Sequence, residues 1–188
     1  MKTIEDLVGE VKKNLGAGNS APKKRVDKVE PISSAVLKKA EESKSAAKYI
    51  SPKMTLNMAK KLAAAVEKAA QIIGVKVVIA ICDEGANLVL LNAMDDSYIA
   101  SIQASQDKAY TAVALKMPTH TALEESRGGS LDGLTNGNGI LLLGGGYPLR
   151  KADKIYGGIG VSGGTKEQDI ILSMVAAECF NYVVGKEA

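Results

Sequence analysis

Apolar residues near the start of the chain recur at Ile4, Leu7, Val8, Val11 and Leu15, the spacing of one helical face. Asp6, Glu10, Lys12 and Lys13 fill the other side, and Thr3 is placed as an N-cap. Gly16, Gly18 and the run Asn19-Ser20-Ala21-Pro22 end this helix. A helix so short is marginal alone in water, so its stripe needs a partner: its own body, a second copy or another protein. Residues 17–31 are polar and basic, as in a flexible tether. Residues 32–50 carry a thin stripe (Val36, Leu37, Ala40, Ala47) that predicts a further helix, broken at Ser51-Pro52. The chain therefore divides into an amphipathic helix at 1–16, a linker at 17–52 and a compact domain at 53–188.

Within the domain, Leu56, Ala59, Leu62, Ala63, Val66, Ala69, Ala70 and Ile73 predict a helix over 54–73, closed by Gly74. The β-branched run at 75–82 predicts a buried strand. A turn at 83–87 leads to a second strand at 88–93, making a hairpin. Helical spacing returns at 98–115, and Pro118 separates it from a short helix at 119–126. After a loop at 127–138, strands are expected at 139–143, 147–149 and 154–161. Thr165 caps a last helix to about 183, with Glu167 and Asp169 near its positive end. Short turns within each strand group imply antiparallel pairing. The expected fold is α+β: an antiparallel sheet of about five strands flanked by helices, with the N-terminal amphipathic helix on its linker.

Composition narrows the function. The apolar fraction of 46% with 24% charged residues is ordinary for a globular chain, and one Phe with no Trp leaves the core to aliphatic residues. The net charge of +3 is uneven: residues 1–54 hold 12 Lys/Arg against 7 Asp/Glu, and the remainder 12 against 14. A near-neutral body without a basic, aromatic face argues against nucleic acid. The mixed charge on the first helix argues against an anionic membrane surface. No apolar run reaches the length of a membrane span. The charged N-terminus does not read as a secretory signal, and Cys82 and Cys179 read as reduced core thiols, so the expected location is cytoplasmic.

Thirteen of the 19 glycines lie between Gly128 and Gly164. Such crowding marks backbone that bends sharply or approaches something closely, a ligand or another protein surface. Known glycine motifs fail here. There is no GxxxxGK[ST], and the match of Gly158, Gly160 and Gly163 to G-x-G-x-x-G lacks a surrounding βαβ unit. Gly160-Val161-Ser162-Gly163-Gly164 fits the bare nucleophile-elbow pattern, but an antiparallel sheet does not supply its strand-turn-helix setting. One histidine and two distant cysteines exclude a multi-histidine or structural zinc site. His120, beginning a short helix after Pro118, is a candidate ligand to haem iron or another metal, and equally an exposed residue of a first helical turn. Lys108, Tyr110 and Thr111 lie on a predicted helix whose other face is apolar; either one of them points to a ligand carboxylate or Lys108 is simply solvated.

Four segments, ICDEGANLVLL, QDKAYTAVALKMPT, LLLGGGYPL and GGIGVSGGTKEQD, stand in an order and spacing that resemble the GlcG/HbpS family, which includes the C-terminal domain of PduO-type proteins. The resemblance spans about residues 54–182. It implies an antiparallel sheet flanked by helices, assembly into homo-oligomers (often octamers) and, in several members, binding of haem or a related tetrapyrrole. It points to Lys108, Thr111, Thr119, His120, Gly145, Gly146, Ser162 and Gly163 as cofactor-binding candidates, with His120 as the metal ligand. Two departures stand out. Asn92-Ala93-Met94-Asp95-Asp96-Ser97 lacks the arginine common there, and the helix at 54–73 lacks the histidine that ligates iron in some members. Iron ligation then falls to His120, Thr119, Tyr110 or an outside ligand. Residues 3–15 resemble the encapsulation peptides of bacterial microcompartment cargo, implying shell or cargo proteins as partners and a compartment lumen as location. The expected function is an oligomeric small-ligand-binding protein. The alternatives are an enzyme acting on a small metabolite in the same cleft, or a structural cargo protein without a ligand.

Overall fold

The computed structural model describes residues 53–186, with side chains to Tyr182; the helices expected at 3–15 and 32–50 and the linker lie outside the described residues. The elements are α1 (Leu56–Ile72), β1 (Val78–Asp83), β2 (Leu88–Ala93), α2 (Ala100–Ala114), α3 (Thr119–Glu125), β3 (Gly146–Lys151), β4 (Lys154–Ser162) and α4 (Lys166–Lys186). The class is α+β as expected, and the described sheet has four antiparallel strands in the order β2-β1-β4-β3.

Local chemistry sets the boundaries. Thr55 accepts from Met58 N at 3.2 Å to start α1, and Gly74, at φ +71°, lets Val75 N return to Ala70 O and end it. Asp83 Oδ1 accepts from Gly85 N and Asn87 N, both at 2.9 Å, and folds the β1–β2 turn. At the start of α4, Gln168 N donates to Thr165 Oγ1 and Thr165 N donates to Gln168 Oε1, a reciprocal capping box.

The expected strand at 139–143 does not form; it contributes only an isolated bridge between Gly137 and Ile140. Two of its backbone donors go to side chains instead of a ladder, Leu141 N to Thr111 Oγ1 and Leu142 N to Asn136 Oδ1, each at 2.8 Å, while Ile140 N and Leu143 N donate to the nearby carbonyls of Gly137 and Leu141.

The two faces of the sheet are built differently. On one, Ile79, Ile81, Leu149, Ile159 and Val161 interdigitate with Leu62 and Val66 of α1 and with Leu172 and Phe180 of α4. On the other, α2 lies against Ala80 and Cys82 of β1 and the backbone of β3 and β4, with Ala109 and Val113 making the small apolar contact. Gly146 and Gly160 are opposite one another in the β3–β4 ladder. A Cβ on Gly160 would collide with Ser105 O and lie 2.7 Å from Ala109 N, and one on Gly158 would lie 2.7 Å from Ala109 O. Gly146, Gly158 and Gly160 of the glycine cluster therefore serve close approach of a helix to the sheet.

Candidate functional site

Ser101, Ser105, Lys108 and Ala112 follow helical spacing on the buried side of α2. Lys108 is 0% exposed. Its ammonium donates to Val161 O at 2.9 Å and to Asp169 Oδ2 at 2.8 Å, while Asp169 Oδ1 accepts from Gly164 N at 2.9 Å. One ion pair thus joins α2, the end of β4 and the first turn of α4. Burial pulls the Lys108 pKa below its ordinary value, against the attraction of Asp169. Burial likewise pushes Asp169 up, against the charge of Lys108 and the N–H groups of Gly164 and Gly163. Neither ion would be tolerated here without the other. Gly145, at φ +112°, makes room for them: a Cβ there would meet Asp169 Cβ at 2.8 Å and Lys108 Nζ at 3.1 Å.

A pocket of about 340 Å³ opens beside this pair. Lys108, Asp169, Ser162 and Gly163 line its inner part, together with Ser101 and Leu143. Tyr98, 71% exposed, and the exposed Lys166 stand at its rim. A smaller cavity of about 160 Å³ lies by Cys82, Ala109 and Tyr110. Burial raises the Cys82 thiol to about 11, so it stays protonated and offers no nucleophile. Both cysteines are free thiols.

Of the residues singled out from the sequence, Lys108, Ser162 and Gly163 meet in the larger pocket, with Gly145 packed behind the ion pair. Lys108 is paired rather than solvated. Thr111 donates to Asp107 O at 2.7 Å and accepts from Leu141 N, so it pins the 139–143 segment. Thr119 donates to Leu143 O at 2.6 Å and accepts from Gly146 N at 2.9 Å, pinning the approach to β3. Gly146 lies under α2, where a Cβ would collide with Lys108 O. His120 is half-buried on α3 and is not among the residues lining the larger pocket. Among the described residues, no group of three or more His, Cys, Asp or Glu is arranged to hold a metal ion.

Asp169, Ser101, Tyr98, Leu143 and Lys166 are site residues that sequence reasoning missed. Asp169 had a sufficient local explanation as an acid in a helical first turn. The signal that could have exposed it is Lys108, which falls on a stripe of small residues and, if buried, requires an acid.

The profile described as "Haem degrading protein HbpS-like" matches residues 54–178. The chain belongs to the HbpS-like family. It is similar to an uncharacterized 15.0 kDa protein of the dhaT-dhaS intergenic region of Citrobacter freundii, with 44% identity over 131 residues, 68% of this chain and 92% of that protein. It is also similar to the corrinoid adenosyltransferase PduO of Salmonella typhimurium, with 36% identity over 121 residues, 63% of this chain but 36% of that longer protein. Among solved structures it resembles a PduOC:heme complex at 31% identity and a TM-score of 0.63, covering 66% of this chain and 93% of that one. No helix among the described residues is long and apolar enough to cross a membrane.

Proposed function

We propose that the protein binds haem or a related tetrapyrrole at the pocket beside Lys108 and Asp169, as a self-associating cargo protein of a bacterial microcompartment. The observation that carries this reading is the likeness to the PduOC:heme complex over 93% of that chain. The residues present suit the chemistry of such a ligand. Leu143 offers apolar contact, Lys166 a cation for a propionate, and the Tyr98 phenol an oxygen of the type that can ligate haem iron. His120, the iron ligand that the sequence resemblance implies, is half-buried on α3 and outside the lining of this pocket. Haem, when bound, supplies the iron-centred redox chemistry; the protein orients it and sets its access to water. Titration of the full chain with hemin is expected to shift the Soret band. Tyr98→Phe and His120→Ala separately identify the ligand by which of them changes that spectrum. No shift with the unaltered protein would overturn the haem reading.

Self-association is supported by Ile171 and Met174 of α4, 55% and 43% exposed on its outer side. Targeting is supported by the likeness of residues 3–15 to encapsulation peptides. Deletion of residues 1–18 should release a fluorescent fusion from compartment puncta into a diffuse pattern, scored by microscopy. Unchanged puncta would defeat the targeting claim.

A further inference from the structure

Most of the polar atoms around the larger pocket are committed. Asp169 takes Lys108 and Gly164 N; Thr165 and Gln168 cap one another. Two serine hydroxyls are not. Ser101, in the first turn of α2, is 5% exposed, and Ser162, at the end of β4, is 8% exposed. Both line the pocket, and neither hydroxyl has a hydrogen-bond partner among the described residues. Neither belongs to a set of sealed, unsatisfied atoms, because every fully buried side-chain polar atom described is paired. The two hydroxyls are therefore open to the pocket itself. Ser105, Ser126 and Ser173 behave differently: each donates to the carbonyl three residues earlier, Ser105 and Ser173 within their helices and Ser126 at the C-cap of α3.

The charges around these hydroxyls select the ligand. Lys108 and Asp169 neutralise one another, so the inner pocket carries no net charge. One of the three Lys108 donors has no acceptor among the described residues. Lys166 adds a single positive charge at the rim, and Glu167, the acid beside it, is exposed and outside the pocket lining. Two hydroxyl donors and one cation suit a monoanion with two acceptor oxygens better than a dianion.

We propose that this pocket is a carboxylate-binding subsite, in which Ser101 and Ser162 donate to the carboxylate oxygens and Lys166 supplies the countercharge. The proposal rests on the pocket being the ligand site. The carboxylate comes either from a propionate arm of a tetrapyrrole or from a free small carboxylic acid.

The test uses the full chain and three probes: sodium propionate by calorimetry or saturation-transfer NMR, and hemin and hemin dimethyl ester by Soret titration. In the Ser101→Ala/Ser162→Ala double variant, affinity for a free carboxylate probe is expected to fall at least tenfold. The dimethyl ester, which has no carboxylate, is expected to bind unaltered and variant protein alike. Because the hydroxyls have no protein partner, the variant should melt at or above the temperature of the unaltered protein. Lys166→Ala, at an exposed position, gives a second readout in which anion affinity falls and loses its salt dependence. If hemin and propionate both weaken in the double variant, or hemin alone does, the subsite holds a tetrapyrrole arm. If propionate alone weakens, the subsite stands for a free acid, and the haem reading fails as well where hemin does not bind at all. If neither weakens in either variant, the subsite is overturned, whatever hemin does.

Discussion

Lys108→Met is expected to lower stability by about 3–5 kcal/mol, the cost of leaving a buried partner ion uncompensated. The Asp169 carboxylate, 4% exposed, would keep Gly164 N but lose its counterion. It would then ionise at the expense of the fold or take up a proton. The double variant Lys108→Met/Asp169→Leu should recover most of the loss, since apolar replacement of a whole buried pair is often neutral or better. What it should not recover is about 1–2 kcal/mol together for Gly164 N, which loses its acceptor, and Val161 O, which loses the Lys108 donor. Urea unfolding of the two single variants and the double variant measures this directly. Additive losses in the double variant would show that the two groups do not act as a pair.

Gly160→Ala is expected to cost about 3 kcal/mol, at the upper end for overpacking, and to lower the melting temperature by roughly 10 °C in a domain of this size. The new methyl would meet backbone on the facing helix, Ser105 O and Ala109 N, rather than a side chain able to rotate away. Repacking therefore cannot relieve it; α2 must move off the sheet. Gly74→Ala is the contrast. It has open space around its Cβ position and pays only for its φ of +71°, about 1 kcal/mol. Thermal denaturation of both variants distinguishes the mechanisms, and equal small shifts would refute the close-approach account.

The strongly periodic elements were legible in the sequence: α1 from its apolar stripe, the β1–β2 hairpin from its β-branched run and Asp-Glu-Gly-Ala-Asn turn, and α4 from Thr165. The segment at 139–143 misled because Ile140-Leu141-Leu142-Leu143 has strand-like composition. Its fate is decided by Thr111 and Asn136, whose side chains take two of its backbone N–H groups. Such long-range competition leaves no mark on local periodicity. The purpose of the glycines was half legible. Gly158 and Gly160, two apart, fall on one face of a strand and mark a side without side chains. What approaches that side depends on topology. Lys108 was ambiguous because a helical lysine is equally compatible with solvent and with a distant acid. Ser162 stood among the sequence candidates and lines the pocket, but Ser101 carried no signal, and that both hydroxyls are open was illegible, since this is defined by the absence of partners.

The glycine-backed contact between α2 and the sheet has a further consequence, for selectivity. On the α1 and α4 face, side chains can change rotamer and share out strain. On the α2 face the spacing is set by main chain against main chain, which hardly deforms. Ser101 and Ser162 stand on the two elements joined in this way, so their separation is fixed before a ligand arrives. Little ordering entropy then opposes binding, and a poorly matched ligand cannot be accommodated by adjustment of that wall. The rigid half of the cup acts as a gauge, while the exposed Tyr98 and Lys166 are the parts free to adapt.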